Sequence, residues 1–300
     1  MSPIGQPYLA VDCRVAGTGL AVTEYYWRLP IASEGNDMPR ITIRHANEVS
    51  SGSFPDIAGV TMQGKIESKG VVQTDDQPMW CWVHHLSPGA QIQWSKPPVA
   101  HGVFVWEGAI ESDGKCYGVE AALVVEHHGV AAFHAGPEGA VITHFHRRPG
   151  HPEVPARSGG HASFFDRDGI FCFDNRPTGG SAVTLYSDSG SETNDVWLHR
   201  SGSVPGRKLP SHCHSEDEVI FITKGVMQVG RKALTPGTAL AIDQNTAYKF
   251  EAGPDGLTFI NFRSTQPYYI PVGPEGRGVP RNERETLRAK APAAKNAATA

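Results

Sequence analysis

The chain has 300 residues, enough for one large domain or two ordinary ones; its 33 glycines, 23 prolines and 19% charged residues suit a turn-rich β protein rather than a helical bundle. A formal net charge of −4 gives no electrostatic ground for binding nucleic acid or an acidic membrane surface. Five cysteines (Cys13, Cys81, Cys116, Cys172 and Cys213), odd in number and without a C-x-x-C pair, argue against a disulfide framework.

The first residues, MSPIGQPYLAVDC, lack the basic stretch and continuous apolar run of a secretory signal. No segment approaches the ~20 apolar residues of a membrane span. A soluble, cytoplasmic protein is the expectation. Residues 1–75 contain β-like stretches such as Thr23-Glu24-Tyr25-Tyr26-Trp27. They are expected to form an arm that packs on the first barrel or pairs with a partner subunit.

Residues 76–150 and 181–270 repeat one another. Leu123 to His146 reads LVVEHHGVAAFHAGPEGAVITHFH and Leu240 to Arg263 reads LAIDQNTAYKFEAGPDGLTFINFR, at an offset of 240 − 123 = 117 residues. The same offset pairs Trp80 with Trp197, Pro88-Gly89 with Pro205-Gly206, and Gly108 with Gly225. Several ungapped matches at one offset indicate internal duplication. Each copy is a series of short apolar runs, such as Val219-Ile220-Phe221-Ile222, bounded by Gly, Pro, Asp and Asn. Such runs predict strands that close into a small sandwich or barrel. Residues 151–180, rich in Gly, Pro and Arg, read as the connection. Residues 271–300, ending RAKAPAAKNAATA, are expected to form a tail disordered at its end.

The stretch GRKLPSHCHSEDEVIFITKG, Gly206 to Gly225, places His212, His214 and Glu218 within seven residues. Two imidazoles and a carboxylate can bind one divalent metal and leave coordination positions open, the mark of chemistry rather than of a closed structural site. On a strand His212 and His214 face the same side and Cys213 the other. The expectation places Glu218 on the adjacent strand.

This stretch resembles the first motif of the cupin superfamily, G-x5-H-x-H-x3-4-E-x6-G, at every fixed position. With two copies, the resemblance implies a bicupin over roughly residues 76–265: all-β, two tandem double-stranded β-helix (jelly-roll) barrels with a metal in the mouth of the C-terminal one. The second motif normally supplies a further histidine, and Tyr248 holds that position here. Tyr248 is read as a phenolate ligand, as a proton donor or acceptor beside the metal, or as a wall of the pocket. In the first repeat the motif positions are Ser95, Pro97 and His101, so its site is expected to be lost. The many other histidines of that half, His144-Phe145-His146 among them, do not match the family's site. Surface or hydrogen-bonded roles are expected for them.

The resulting expectation is a metal-dependent enzyme acting on a small polar organic molecule in the C-terminal barrel. An Fe(II) dioxygenase leads, because open positions admit a chelating substrate and O₂. Mn, Zn, Ni, Co and Cu stay open as the one divalent ion per chain. A lyase, isomerase or hydrolase using the metal as a Lewis acid is the alternative, with Tyr248 moving a proton. A non-catalytic ligand-binding cupin is the third reading. Trp197, His199, Phe221 and Phe250 are expected to line the pocket, and a homodimer is expected.

Overall fold

A computed structural model describes residues 40–74, 77–148, 157–176, 180–194, 196–263, 265, 267–273, 280–283, 285 and 286. The stretch Thr23 to Trp27 and the end of the chain lie outside these. Two antiparallel sheets dominate. In the first, strands run in the order Ala162–Phe165, Ala122–Val125, His101–Ser112, Val130–Arg147, Met79–Leu86, Ile66–Val72. In the second the order is Ile41–His45, Thr238–Ile242, Glu218–Val229, Tyr248–Arg263, Trp197–Ser203, Ser181–Ser187, Phe171–Asp174. The inner four strands of each sheet correspond at the repeat offset; His101 and Glu218, which open equivalent strands, are 218 − 101 = 117 residues apart. The shorter strands Gln91–Ser95 and Lys208–His214 pair with the long Val130–Arg147 and Tyr248–Arg263 strands respectively.

Alternation along the strands divides the apolar residues between three cores. Trp94, Val103, Val105 and Ile142 fill the first barrel, and Ile220, Ile222, Leu240 and Phe250 fill the second. Between them, Cys81, Val83, Phe104 and Phe145 meet Leu198, Val219, Phe221 and Phe262. Each large side chain so buried contributes about 1.5–3 kcal/mol. Equivalent residues touch across this interface. Phe145 and Phe262, 262 − 145 = 117 apart, stack with centroids at 5.5 Å. The Trp106 indole N–H donates to the Thr223 carbonyl at 3.3 Å, again across 223 − 106 = 117 positions. The two barrels therefore face each other as a symmetric dimer would, within one chain.

The motif glycines have a backbone reason. Gly225 has φ +73°, and a Cβ there would lie 2.1 Å from the Gly256 carbonyl oxygen; Gly108 repeats this, with φ +69° and 2.2 Å to Gly139. Only glycine fits where two strands approach so closely at a positive φ.

Two expectations about the arm and the connection change. Val60–Gln63 and Ile66–Val72 already belong to the first sheet, whereas Ile41–His45 pairs with Thr238–Ile242 of the second. In return Ala162–Phe165, from the connection, pairs with Ala122–Val125 of the first. Each barrel thus borrows an edge strand from outside its own repeat, which covers an edge that would otherwise be open.

Candidate metal centre

His212 and His214 sit on the Lys208–His214 strand and are both buried, as is Cys213, whose strand partner is Ile270. Glu218 opens the Glu218–Val229 strand and is 1% exposed. That strand is not a hydrogen-bonded neighbour of Lys208–His214, as the sequence suggested. Both instead pair with different parts of the long Tyr248–Arg263 strand, His212 opposite Tyr248 and Glu218 opposite Arg263. The long strand, whose register shifts along its pairing with each partner, carries both ligand pieces.

Each member of the triplet is oriented by a second contact. His212 Nδ1 lies 2.8 Å from the Pro210 carbonyl oxygen. A carbonyl only accepts, so Nδ1 carries the hydrogen and Nε2 keeps its lone pair. Glu283 Oε1 stands 3.0 Å from His214 Nδ1, without well-formed hydrogen-bond geometry. The Glu218 oxygen Oε2 accepts from Asn261 Nδ2 at 2.6 Å and from Arg263 Nη2 at 2.7 Å and Nε at 3.1 Å. Its other oxygen, Oε1, is buried without a well-formed hydrogen bond and faces His214 Nε2 at 4.0 Å. Burial pushes the Glu218 carboxyl up, but Arg263 and then His214 outweigh it and hold it at about 2. Arg263 is raised further above its ordinary value, its burial outweighed by Glu283 and Glu218. It donates to Glu283 Oε2 from Nη1 at 3.0 Å.

This donor set fits a divalent cation. His214 Nε2 and Glu218 Oε1 face each other at 4.0 Å and the His212 ring stands 5.0 Å from that of His214; a carbonyl behind His212 and a carboxylate beside His214 are the usual support of metal-bound histidine. Two carboxylates and one guanidinium leave the cluster with a net negative charge for a cation to balance. Among the described residues no group of three or more His, Cys, Asp or Glu is placed to hold a metal ion as it stands, so the triplet would have to draw together around one.

Tyr248 is buried, with its ring centroid 4.4 Å from that of His212. Burial, and next the Glu218 carboxylate, push its phenol well above the ordinary value, which makes it a neutral O–H. His199 accepts from the Trp197 indole N–H at 2.8 Å through Nδ1, and burial lowers it to about 4. Trp197 and His199 thus lie on the inner face, opposite Arg263 and Asn261 in register. Phe250 stacks beneath Tyr248 at 6.5 Å. Phe221 is misplaced in the sequence reading: it packs between the barrels, 5.1 Å from Trp106, because alternation turns it away from Glu218.

Four residues escaped that reading. Asn261 and Arg263 follow the inward period of their strand, a signal that was present but unmarked by any motif. Tyr269, on the Tyr268–Pro271 strand, stacks on His212 at 4.7 Å. Glu283 lies beyond the repeat, in what reads as a tail, and no sequence pattern points to it.

No known family model matches the sequence, and no curated protein does either. Solved structures do. An oxalate decarboxylase of Bacillus subtilis is 11% identical, with a TM-score of 0.54 over 86% of this chain and 83% of that one. A candidate dioxygenase from Nostoc punctiforme is 13% identical, with a TM-score of 0.56 over 75% and 83%. Protein YlbA of E. coli is 11% identical, with a TM-score of 0.51 over 77% and 94%. Two facing antiparallel barrels, duplicated at one offset and matched at this length, give the chain the two-barrel fold of the cupin superfamily.

Proposed function

We propose that the C-terminal barrel is the active site of a metal-dependent enzyme acting on a small polar organic molecule. One observation carries the reading: His212, His214 and Glu218 are buried together, with the His212 and His214 rings 5.0 Å apart and His214 Nε2 4.0 Å from Glu218 Oε1. A cation held there would polarise a bound oxygen or activate O₂, and Fe(II) leads because two histidines and one carboxylate suit it. Arg263 and Asn261 fix the carboxylate. Trp197, Phe250 and Tyr269 make the surroundings apolar and limit water.

The second reading, a non-redox lyase, isomerase or hydrolase, is favoured by Tyr248, a neutral buried phenol beside Glu218 that is able to give a proton at its hydroxyl. Among the solved structures, the dioxygenase candidate agrees with the first reading, while oxalate decarboxylase, described with Mn(II) centres and proton-coupled electron transfer, agrees with a metal enzyme of either kind. Metal analysis of untagged protein, followed by O₂ uptake with candidate substrates, separates them. His212→Ala, His214→Ala or Glu218→Ala is expected to abolish metal retention and turnover together. Turnover surviving in metal-free His214→Ala would overturn the proposal. Tyr248→Phe is expected to lower kcat by about 10²–10⁴-fold under the second reading only.

A further inference from the structure

The interior of the first barrel holds His84, His101, His144 and His146, each with no exposed surface. Three are joined in a row. Ser68 Oγ lies 2.8 Å from His84 Nδ1, His84 Nε2 lies 3.3 Å from His144 Nδ1, and His144 Nε2 lies 2.9 Å from His101 Nδ1. His146 stands beside the row with Nδ1 2.7 Å from the Arg147 carbonyl oxygen. That carbonyl can only accept, so His146 Nε2 is a bare lone pair. Neither His146 Nε2 nor His101 Nε2 has a hydrogen-bond partner, and their rings are 5.2 Å apart. The row of imidazoles allows two proton orders. In the one where His101 Nδ1 donates to His144, and His144 to His84, His101 Nε2 is bare as well. Two enclosed, unsatisfied nitrogens on neighbouring rings call for a shared partner.

We propose that the first barrel contains a second metal site, made of nitrogen alone, in which His101 Nε2 and His146 Nε2 anchor one transition-metal ion of the zinc, copper and nickel class. His144 supplies a third nitrogen when its hydrogen bond to His101 opens, since among the described residues no group of three such donors is placed to hold an ion beforehand. Imidazole donors prefer these borderline metals, whereas Mg, Ca and Mn prefer oxygen. No carboxylate is among the groups acting on these four rings, in contrast to the second barrel. A small anion must then accompany the cation. Trp82 and Trp94, packed on His84 and His101, carry buried indole N–H groups without partners and are the donors available to hold it. The site does not copy the one in the second barrel, because Ser95 and Pro97 stand where that barrel has His212 and His214. Phe54 stacks on His144 at 5.4 Å and touches Trp82, His84 and His146. With Ser68 it lines a surface depression, which marks the way in from solvent.

The test uses untagged full-length chain carrying His212→Ala and His214→Ala, which silences the second barrel. It is titrated with Cu(II) and read by electron paramagnetic resonance, with Zn(II) retention measured in parallel. One equivalent per chain with hyperfine coupling to two or more nitrogens is expected. His101→Gln and His146→Gln should each weaken binding by at least tenfold, and Phe54→Ala should speed uptake. Failure to retain an equivalent overturns the proposal, and so does one unaffected by either glutamine substitution. Where a glutamine variant loses its cooperative unfolding transition, the parent spectrum decides: oxygen-dominated coordination, or an ion carried by exposed histidines such as His134, overturns it.

Discussion

The two barrels share a backbone plan and differ in what they place at one spot. Where the second has Glu218, Asn261 and Arg263, the first has His101, His144 and His146, each 117 positions earlier. Register is the same in both: His101 pairs with His146 as Glu218 pairs with Arg263. One barrel thus holds a buried charge cluster and the other a buried neutral one. Duplication preserved the strands, because their alternation and paired glycines depend on the backbone. It did not preserve the chemistry, because interior polar residues need only satisfy one another.

The largest expected effect comes from breaking the charged version. Arg263→Met leaves Glu218 and Glu283 buried without their shared guanidinium. Removing one partner of a buried ion pair costs about 3–5 kcal/mol. His146→Met, the equivalent change in the first barrel, removes the hydrogen bond to the Arg147 carbonyl and no charge, and should cost about 1–3 kcal/mol. Urea unfolding of both variants measures the contrast. Equal losses would show that charge is not what distinguishes the barrels.

Acid should act first on the buried neutral histidines, four of them in the first barrel, together with His199 and His212 of the second, each lowered to about 4 by burial. Burial lowers His84 to about 3 and His146 to about 4, and holds His101 and His144 well below the ordinary 6.5. These groups stay neutral when folded and bind protons when unfolded. Their contribution is therefore complete above about pH 6.5, declines as pH falls below it, and stops declining once the folded-state values are passed. The slope is about 1.4 kcal/mol per pH unit for each histidine. Glu218, held at about 2, contributes above its ordinary 4.5 and loses that contribution only as pH falls from there towards 2. In metal-free protein, unfolding free energies between pH 6.5 and 5 should thus fall, and replacing His84 and His144 by Leu and Asn should flatten that fall.

The sequence shows the backbone of this comparison better than its chemistry. Repeat offset, turn glycines and strand alternation are local or periodic, so the two-barrel fold and the inward direction of His212 and His214 can be read directly. Phe221 lies three residues from the inward-facing Glu218, and strand alternation therefore turns it outward, into the core between the barrels. Arg263 and Glu283 failed for another reason. Their roles come from contacts across 45 residues in one case, and from a segment outside the repeat in the other. The exchange of edge strands is equally non-local, since the apolar pattern of Ile41–His45 does not say which barrel it completes.

Glu283 gives the next prediction. Glu283→Gln keeps the length of the side chain and removes the charge beside His214 Nδ1. Support of a metal-bound histidine by such a carboxylate is worth about 10–100-fold in affinity. That loss is expected in the second barrel, with no change in any metal held by the first. Competition against a chelator of known strength, in protein with only one barrel's histidines intact, reads the two separately.

The smallest effect is expected where the barrels touch through solvent-exposed charge. Lys224 Nζ, on the second barrel, lies 2.9 Å from Glu120 Oε1 of the first, and the lysine side chain is 61% exposed. Glu120 also meets Arg200 and Arg167. Water screens the lysine and two other cations remain on the carboxylate, so Lys224→Ala should cost less than about 1 kcal/mol and less still at high salt. Phe262→Ala, in the apolar part of the same interface, should cost about 3–5 kcal/mol. If Lys224→Ala matched it, the facing barrels would be held by charge at their rim. The full burial of Phe145 and Phe262 argues that stacked apolar surface holds them instead.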